Sequence, residues 1–426
     1  MRRSLRGAIP ILLLAAFAWL LMPVDARAAS SATIIYTFQG GADGASPYSD
    51  LTIDAVGNLY GTTLEGGSYG CGTVFRLART KEGWKHRVLY NFHGASDGCD
   101  PDAGLVLDGS GNFYGTTRNG GRNNTGCGTV FKLGIGPQGG LKETVLYTFS
   151  CTGSSGAYPE ADLVFDNQGN LYGTTWAGGT GNIDFCGYAG CGTAFELSPS
   201  PDGSWIETTI HDFQGSPDAA TPIGALVPDG KGGFYGASQY GGAGPCSPVH
   251  SQFGPPAGCS AIFELTPSGG GWTETVIYGF FRGLGFARNP SGGFILGGPG
   301  ILFGMSTNGG NGIGTFFQLE QTGNSWSQSV LHRFYASPDA ATPFGRLVAG
   351  PQGAWVGLTA GGGANGYGTV FALEQTNLGW KQRILYSFDK SIWSLESGPA
   401  VDSQGRVYGT ALQNQEAYGE IYEVIP

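Results

Sequence analysis

Leu59-Tyr60-Gly61-Thr62-Thr63, Gly72-Thr73-Val74-Phe75-Arg76-Leu77 and Val88-Leu89-Tyr90-Asn91-Phe92 are three β-rich runs within 34 residues of one another. The third run has counterparts ending at Phe38, Phe149, Phe213, Phe280, Phe334 and Phe388. The glycine of the first recurs as Gly115, Gly173, Gly236, Gly304, Gly357 and Gly409, and Phe75 recurs as Phe131, Phe195, Phe263, Phe317, Phe371 and Tyr422. A shorter run precedes each glycine run, as in Leu51-Thr52-Ile53-Asp54. The chain is therefore one unit of about 55 residues used seven times.

Each unit reads as four strands, a to d. Alternation along strand c puts Thr73, Phe75 and Leu77 on one side, Val74 and Arg76 on the other. Turns such as Asp54-Ala55-Val56-Gly57-Asn58 join a to b, with Asp as a local cap and Gly supplying positive φ. Strand d usually opens on Trp: Trp84, Trp205, Trp272, Trp326 and Trp380. Four short antiparallel strands cannot bury both faces alone, and radial stacking does so. The N-terminus begins with an orphan strand d (33–38) and the C-terminus ends on strand c (419–424). Pairing the two closes the ring and removes free edges. The expected fold is all-β: a seven-bladed β-propeller of four-stranded antiparallel blades, the last blade closed by the N-terminal strand.

Before it lies a leader. Arg2, Arg3 and Arg6 precede an apolar run (8–22), and Ala26-Arg27-Ala28 gives the small-x-small pattern of a cleavage site. We expect residues 1–28 to be a signal peptide and 29–426 a single propeller domain, exported to the periplasm or the extracellular space. The formal charge is −10, and four Arg and one Asp lie within the leader, leaving the remainder near −13. So acidic a chain is a poor nucleic-acid binder. No second apolar stretch is long enough to span a bilayer, and a monomer is expected.

The repeat, with Asp43-Gly44-Ala45-Ser46-Pro47 between units, resembles the GloVer tandem-repeat (choice-of-anchor) proteins of exported bacterial type. The resemblance covers essentially the whole mature chain and implies export and repeats but no established activity. Members often carry a C-terminal anchor, which is not expected here.

Insertions are confined to the b–c loops. Gly173 to Phe195 takes 22 residues and Gly236 to Phe263 takes 27, against 13 to 16 elsewhere. The b–c loops and d-to-a crossovers of an up-and-down blade share one face, and all eight cysteines fall in them. Following an export signal, they are expected to pair as Cys71 with Cys99, Cys127 with Cys151, Cys186 with Cys191, and Cys246 with Cys259. That staples one face.

No motif marks a reaction. The Gly-x-Ser-x-Gly matches at Ser68 and Ser96 precede no helix, so neither is a nucleophile elbow. No His/Asp/Glu spacing resembles a metal site, and neither metal nor cofactor is expected. His211 and His332 stand where strand d elsewhere has Tyr, which makes them structural. His86 is expected at the surface. The crossover aspartates Asp43, Asp97, Asp218 and Asp339 recur around the ring, as turn formers would; Asp97, Asp218 and Asp339 are kept as ligand-binding candidates. The long loops add Trp176, Tyr188, Tyr240, His250 and Phe253, unrepeated groups able to stack on sugar rings or anchor a protein. The expected function is non-enzymatic binding of an extracellular glycan or protein through this face. A carbohydrate-active hydrolase or lyase using top-face carboxylates is the first alternative, and a structural envelope or matrix protein the second.

Overall fold

The computed structural model describes residues 30–122, 126–136, 141–151, 154–181, 186, 189–242, 260–280, 287–309, 313–392, 395, 397–412 and 418–426. Their strands form seven antiparallel blades. Strands a to d of blade 1 are Thr52–Ile53, Leu59–Thr63, Thr73–Thr80 and Gly83–Asn91. Blade 7 combines Ala400–Val401, Val407–Ala411 and Glu420–Ile425 with the N-terminal Ser31–Thr37, in register from Ser31 opposite Ile425. The ring is closed by its own two ends. In blade 5, strand a is split into Ala287–Pro290 and Ile295–Gly298.

The repeated residues explain themselves at the seams. Gly61 lies opposite Phe75 across the b–c ladder, and a Cβ on it would sit 2.8 Å from the Phe75 ring. Glycine is needed there because the ring covers its backbone. Each strand-c ring then meets the Phe that closes the preceding strand d, edge to face in six pairs and tilted in Phe213–Phe263. The seven pairs run from Phe213–Phe263 at 4.9 Å to Phe280–Phe317 at 5.7 Å. Such pairs contribute about 0.5–1.5 kcal/mol each beyond the area they bury. The core lies between blades: Phe38, Leu51, Phe75 and Leu77 pack against Tyr408 and Ile421 of blade 7.

A second device clasps neighbours at the top face. Ser46, Asp100, Tyr158, Thr221, Asn289 and Thr342 have φ between 52° and 59°, and each precedes a proline. Among the described residues, in all but Asn289 the backbone N–H donates to the preceding blade's b–c loop, as Asp100 N to Cys71 O at 3.1 Å and Thr221 N to Cys191 O at 2.7 Å. The proline rings seat where a Cβ would be: Pro101 on Gly72, Pro159 on Gly128, Pro222 on Gly192, Pro343 on Gly314 and Pro47 on Gly419. A left-handed non-glycine residue costs about 1–3 kcal/mol, so it persists only where its surroundings fix it. Disulfides reinforce two clasps, Cys71–Cys99 and Cys127–Cys151, while Cys186–Cys191 ties its own loop. Cys246 and Cys259 lie outside the described residues.

Candidate functional site at the channel mouth

Every crossover delivers one residue to the central channel just before the apolar residue that starts strand a. In blade order these are Asp50, Gly104, Asp162, Ala225, Gly293, Arg346 and Gly398, and all line one cavity of about 210 Å³. Three are charged, and they meet across the axis. Arg346 Nε lies 2.9 Å from Asp50 Oδ2, and Nη1 lies 3.8 Å from Asp162 Oδ2. Gly398 N donates to Asp50 (2.5 Å) and Gly104 N to Asp162 (2.6 Å). Burial pushes the Asp50 carboxyl up against the opposing pull of Arg346. The glycines admit the charged chains, since a Cβ on Gly293 would fall 2.6 Å from Arg346 Cβ.

Beside this bridge, between blades 2, 3 and 4, the channel widens into a pocket of about 180 Å³ lined by Asp102, Glu160, Thr174, Trp176, Pro222 and Ile223, among others. Asp102 and Glu160 also line the channel, so the two spaces share a wall. Burial and the neighbouring Glu160 push the Asp102 carboxyl up to about 6, although Arg118 opposes them. Burial raises Glu160 as well, against the Arg118 guanidinium, whose Nε donates to Glu160 Oε1 at 2.6 Å. That guanidinium lies 5.9 Å from the centre of the Tyr158 ring. The buried Thr174 hydroxyl has no protein partner among the described residues. The pocket thus offers two carboxylates, a free hydroxyl and the half-buried Trp176.

Of the residues expected from sequence, Trp176 lines this pocket. Tyr240 does not: it packs in the blade 3–4 core with Phe213 and Leu226, whereas Trp176 packs against Ala157 and Cys127. Tyr188, His250 and Phe253 lie outside the described residues. The crossover aspartates are not brought together. Each sits at its own seam, accepting a backbone N–H four residues earlier and facing the strand-d residue before it. Asp97 takes the His93 N–H and the Tyr90 hydroxyl (2.7 Å), and Asp43 takes the Gln39 N–H and the Tyr36 hydroxyl (2.6 Å). Asp218 takes the Gln214 N–H and lies 3.1 Å from His211 Nε2, and Asp339 takes the Tyr335 N–H and lies 3.8 Å from His332 Nε2.

One expectation needs correction. His86 is not at the surface: its side chain is 8% exposed, stacked on Tyr36 at 4.3 Å with Nδ1 3.2 Å from Asp43. Strand d of blade 1 lies against strand d of blade 7, which covers it. Folding also brings together a titratable cluster drawn from two blades. His211, Asp218 and Glu274 bring three ligand atoms within 4.8 Å of one another at the blade 3–4 seam. Burial and the nearby Asp218 push Glu274 up to about 8.

Sequence reasoning missed Asp50, Asp102, Glu160, Asp162 and Arg346. Their signal was departure from the repeat: a charge immediately before strand a, where four other units carry Gly or Ala, or two residues earlier, where Tyr48, Ile223, Ser291 and Phe344 stand in other units.

Seven four-stranded blades, a closure by both termini and a polar mouth define a disulfide-stapled propeller repeat protein. The chain belongs to the Gloeobacter/Verrucomicrobia repeat family, whose model matches residues 24–249 and again 249–426. No curated protein matches it. Among solved structures it is similar to a putative 6-phosphogluconolactonase from Bacteroides uniformis, with 14% identity, a TM-score of 0.51, and coverage of 86% of this chain and 98% of that one. It is also similar to a polysaccharide lyase, an ulvan lyase, with 12% identity, a TM-score of 0.54, and coverage of 91% and 94%. At such identities the likeness is one of fold. Among the described residues no helix is long and apolar enough to cross a membrane.

Proposed function

We propose that the protein is exported, with residues 1–28 removed, and that it binds a glycan at the top-face channel mouth without chemical turnover. One observation carries this reading: Asp102, Glu160, Thr174 and Trp176 converge on one pocket. An indole face takes the C–H face of a sugar ring, and carboxylates accept its hydroxyls in pairs. Disulfides on neighbouring loops order this face before a ligand arrives, which lowers the entropy cost of binding. Glycan-array screening of the purified protein, then titration of the best saccharide, tests it. Trp176→Ala and Glu160→Gln are each expected to weaken binding tenfold or more. Capture of no saccharide, or unaltered affinity in both variants, removes the reading and leaves a protein partner or a structural role.

A second reading, hydrolase or lyase, is favoured by Asp102, since a carboxyl held up to about 6 beside an Arg-paired carboxylate can divide acid and base roles. Its mark would be new reducing or unsaturated ends from a bound polysaccharide, lost in Asp102→Asn.

A further inference from the structure

Three side-chain positions fill each seam on the outer, bottom side of the ring: an aromatic of strand b, the residue that opens strand b of the next blade, and the residue that opens that blade's strand d. Five seams hold an indole against the aromatic: Trp84 on Tyr408, Trp205 on Tyr114, Trp272 on Tyr172, Trp326 on Tyr235 and Trp380 on Phe303. Their centroids lie 5.3–6.2 Å apart, all edge to face. Where blades 1 and 2 meet, strand d brings Leu141, and Phe113 instead packs on Tyr60 at 4.5 Å. The seam between blades 6 and 7 has none of this. The aromatic is Val356, the next strand b opens on Val407, and by repeat register the indole position is Ser30. Across strands b and c, Val356 faces Ala372, where blade 1 pairs Tyr60 with Arg76 and blade 2 pairs Tyr114 with Lys132. The a–b turn begins with Gly350 in place of the Asp54 or Asp108 that hold the tyrosine hydroxyls.

Four large side chains are thus replaced by small ones at a single seam, and the space they leave is open. It is a pocket of about 610 Å³, floored by Ala354, Val356, Ala372 and Leu385. Its rim includes Glu374 and Arg383, joined by Nη2–Oε1 and Nε–Oε1 contacts of 2.8 Å, together with Gln404. This volume lies within the range of small-molecule sites, with an apolar floor ringed by the polar side chains of Gln352, Glu374, Gln375, Arg383 and Gln404. It opens among the a–b turns Pro351–Gly353 and Gln404–Gly405, on the face opposite the channel mouth.

We propose that this seam is a second binding site, for a planar aromatic ligand of one or two fused rings bearing a polar substituent. The ring takes the place that an indole of the protein takes in five other seams, and the substituent meets the Glu374–Arg383 pair and Gln404. The site is independent of the glycan mouth.

Isothermal titration and thermal shift of the purified protein with indole test it, with cyclohexanol as the non-planar control. Indole is expected to bind and raise the melting temperature, and cyclohexanol to bind at least tenfold more weakly. The double variant Ser30→Trp, Val356→Tyr restores the filling of the other seams and is expected to lose tenfold or more of the indole affinity while melting higher. Ala372→Leu, a smaller filling of the floor, is expected to show the same loss. The proposal fails if indole does not bind up to its solubility limit, if cyclohexanol binds as well, or if folded filled variants bind indole like the parent.

Discussion

Single residues show where the repeat is strict and where it has been relaxed. Six blades place Phe on strand c under the strand-b glycine, and blade 7 places Tyr422 there. Its ring packs edge to face on Phe388 like the others, but its buried hydroxyl finds no partner among the described residues. An unsatisfied buried hydroxyl costs about 1–3 kcal/mol, and removing it keeps the ring. Tyr422→Phe is therefore expected to stabilise the protein by about 1 kcal/mol, read as a higher denaturant midpoint with an unchanged slope. A lower midpoint would mean that the hydroxyl is satisfied. The Phe and Gly of the repeat were legible in sequence because each is a steric demand that recurs unchanged. The channel charges were not, because the same position holds Asp50, Gly104, Asp162 or Arg346 in different blades. Their meaning comes from facing one another across the axis, which repetition along the chain does not encode. Trp176 was legible as an unrepeated aromatic. Asp102 and Glu160 became meaningful only once two crossovers lay side by side.

At the scale of elements, strand d of each blade leans on strand d of the next, and acids are trapped there. Burial and Asp97 push Glu143 up to about 7, and burial and Asp218 push Glu274 up to about 8, both above an ordinary 4.5. Groups that hold protons more tightly folded than unfolded favour the fold below their unfolded pKa and lose that contribution as pH rises through the folded one. His86 and His332 act oppositely, since burial lowers both from 6.5 and their contribution is lost as pH falls through that region. The lowered carboxyls Asp54, Asp97 and Asp108 matter only below about pH 4. From pH 8.5 down to 6.5 the two glutamates dominate, so the melting temperature is expected to rise over that interval. Glu274→Gln should flatten the rise. A melting temperature falling from pH 8.5 to 6.5 would show that these acids are ionised in the folded protein.

For the whole molecule, the decisive pairing is the most distant one. Ser31 to Thr37 completes blade 7 against Glu420 to Ile425. Deleting Ala29 to Phe38 bares that edge and removes Phe38 from the blade 7–1 core. Aggregation, or a large fall in melting temperature, is expected by light scattering and calorimetry, and a monomer melting like the parent would contradict the closure. The split also sets an order in time. The strand synthesised first is the strand whose partner is synthesised last, so no stretch of nascent chain contains a finished ring. Blades 1 to 6 can assemble from near neighbours while their maker is still at work, but the circle waits for the final residues. Until then the molecule is an open arc with a loose strand at one end and an unpaired edge at the other. Each of those two exposed elements can pair with another copy of the chain until the ring closes.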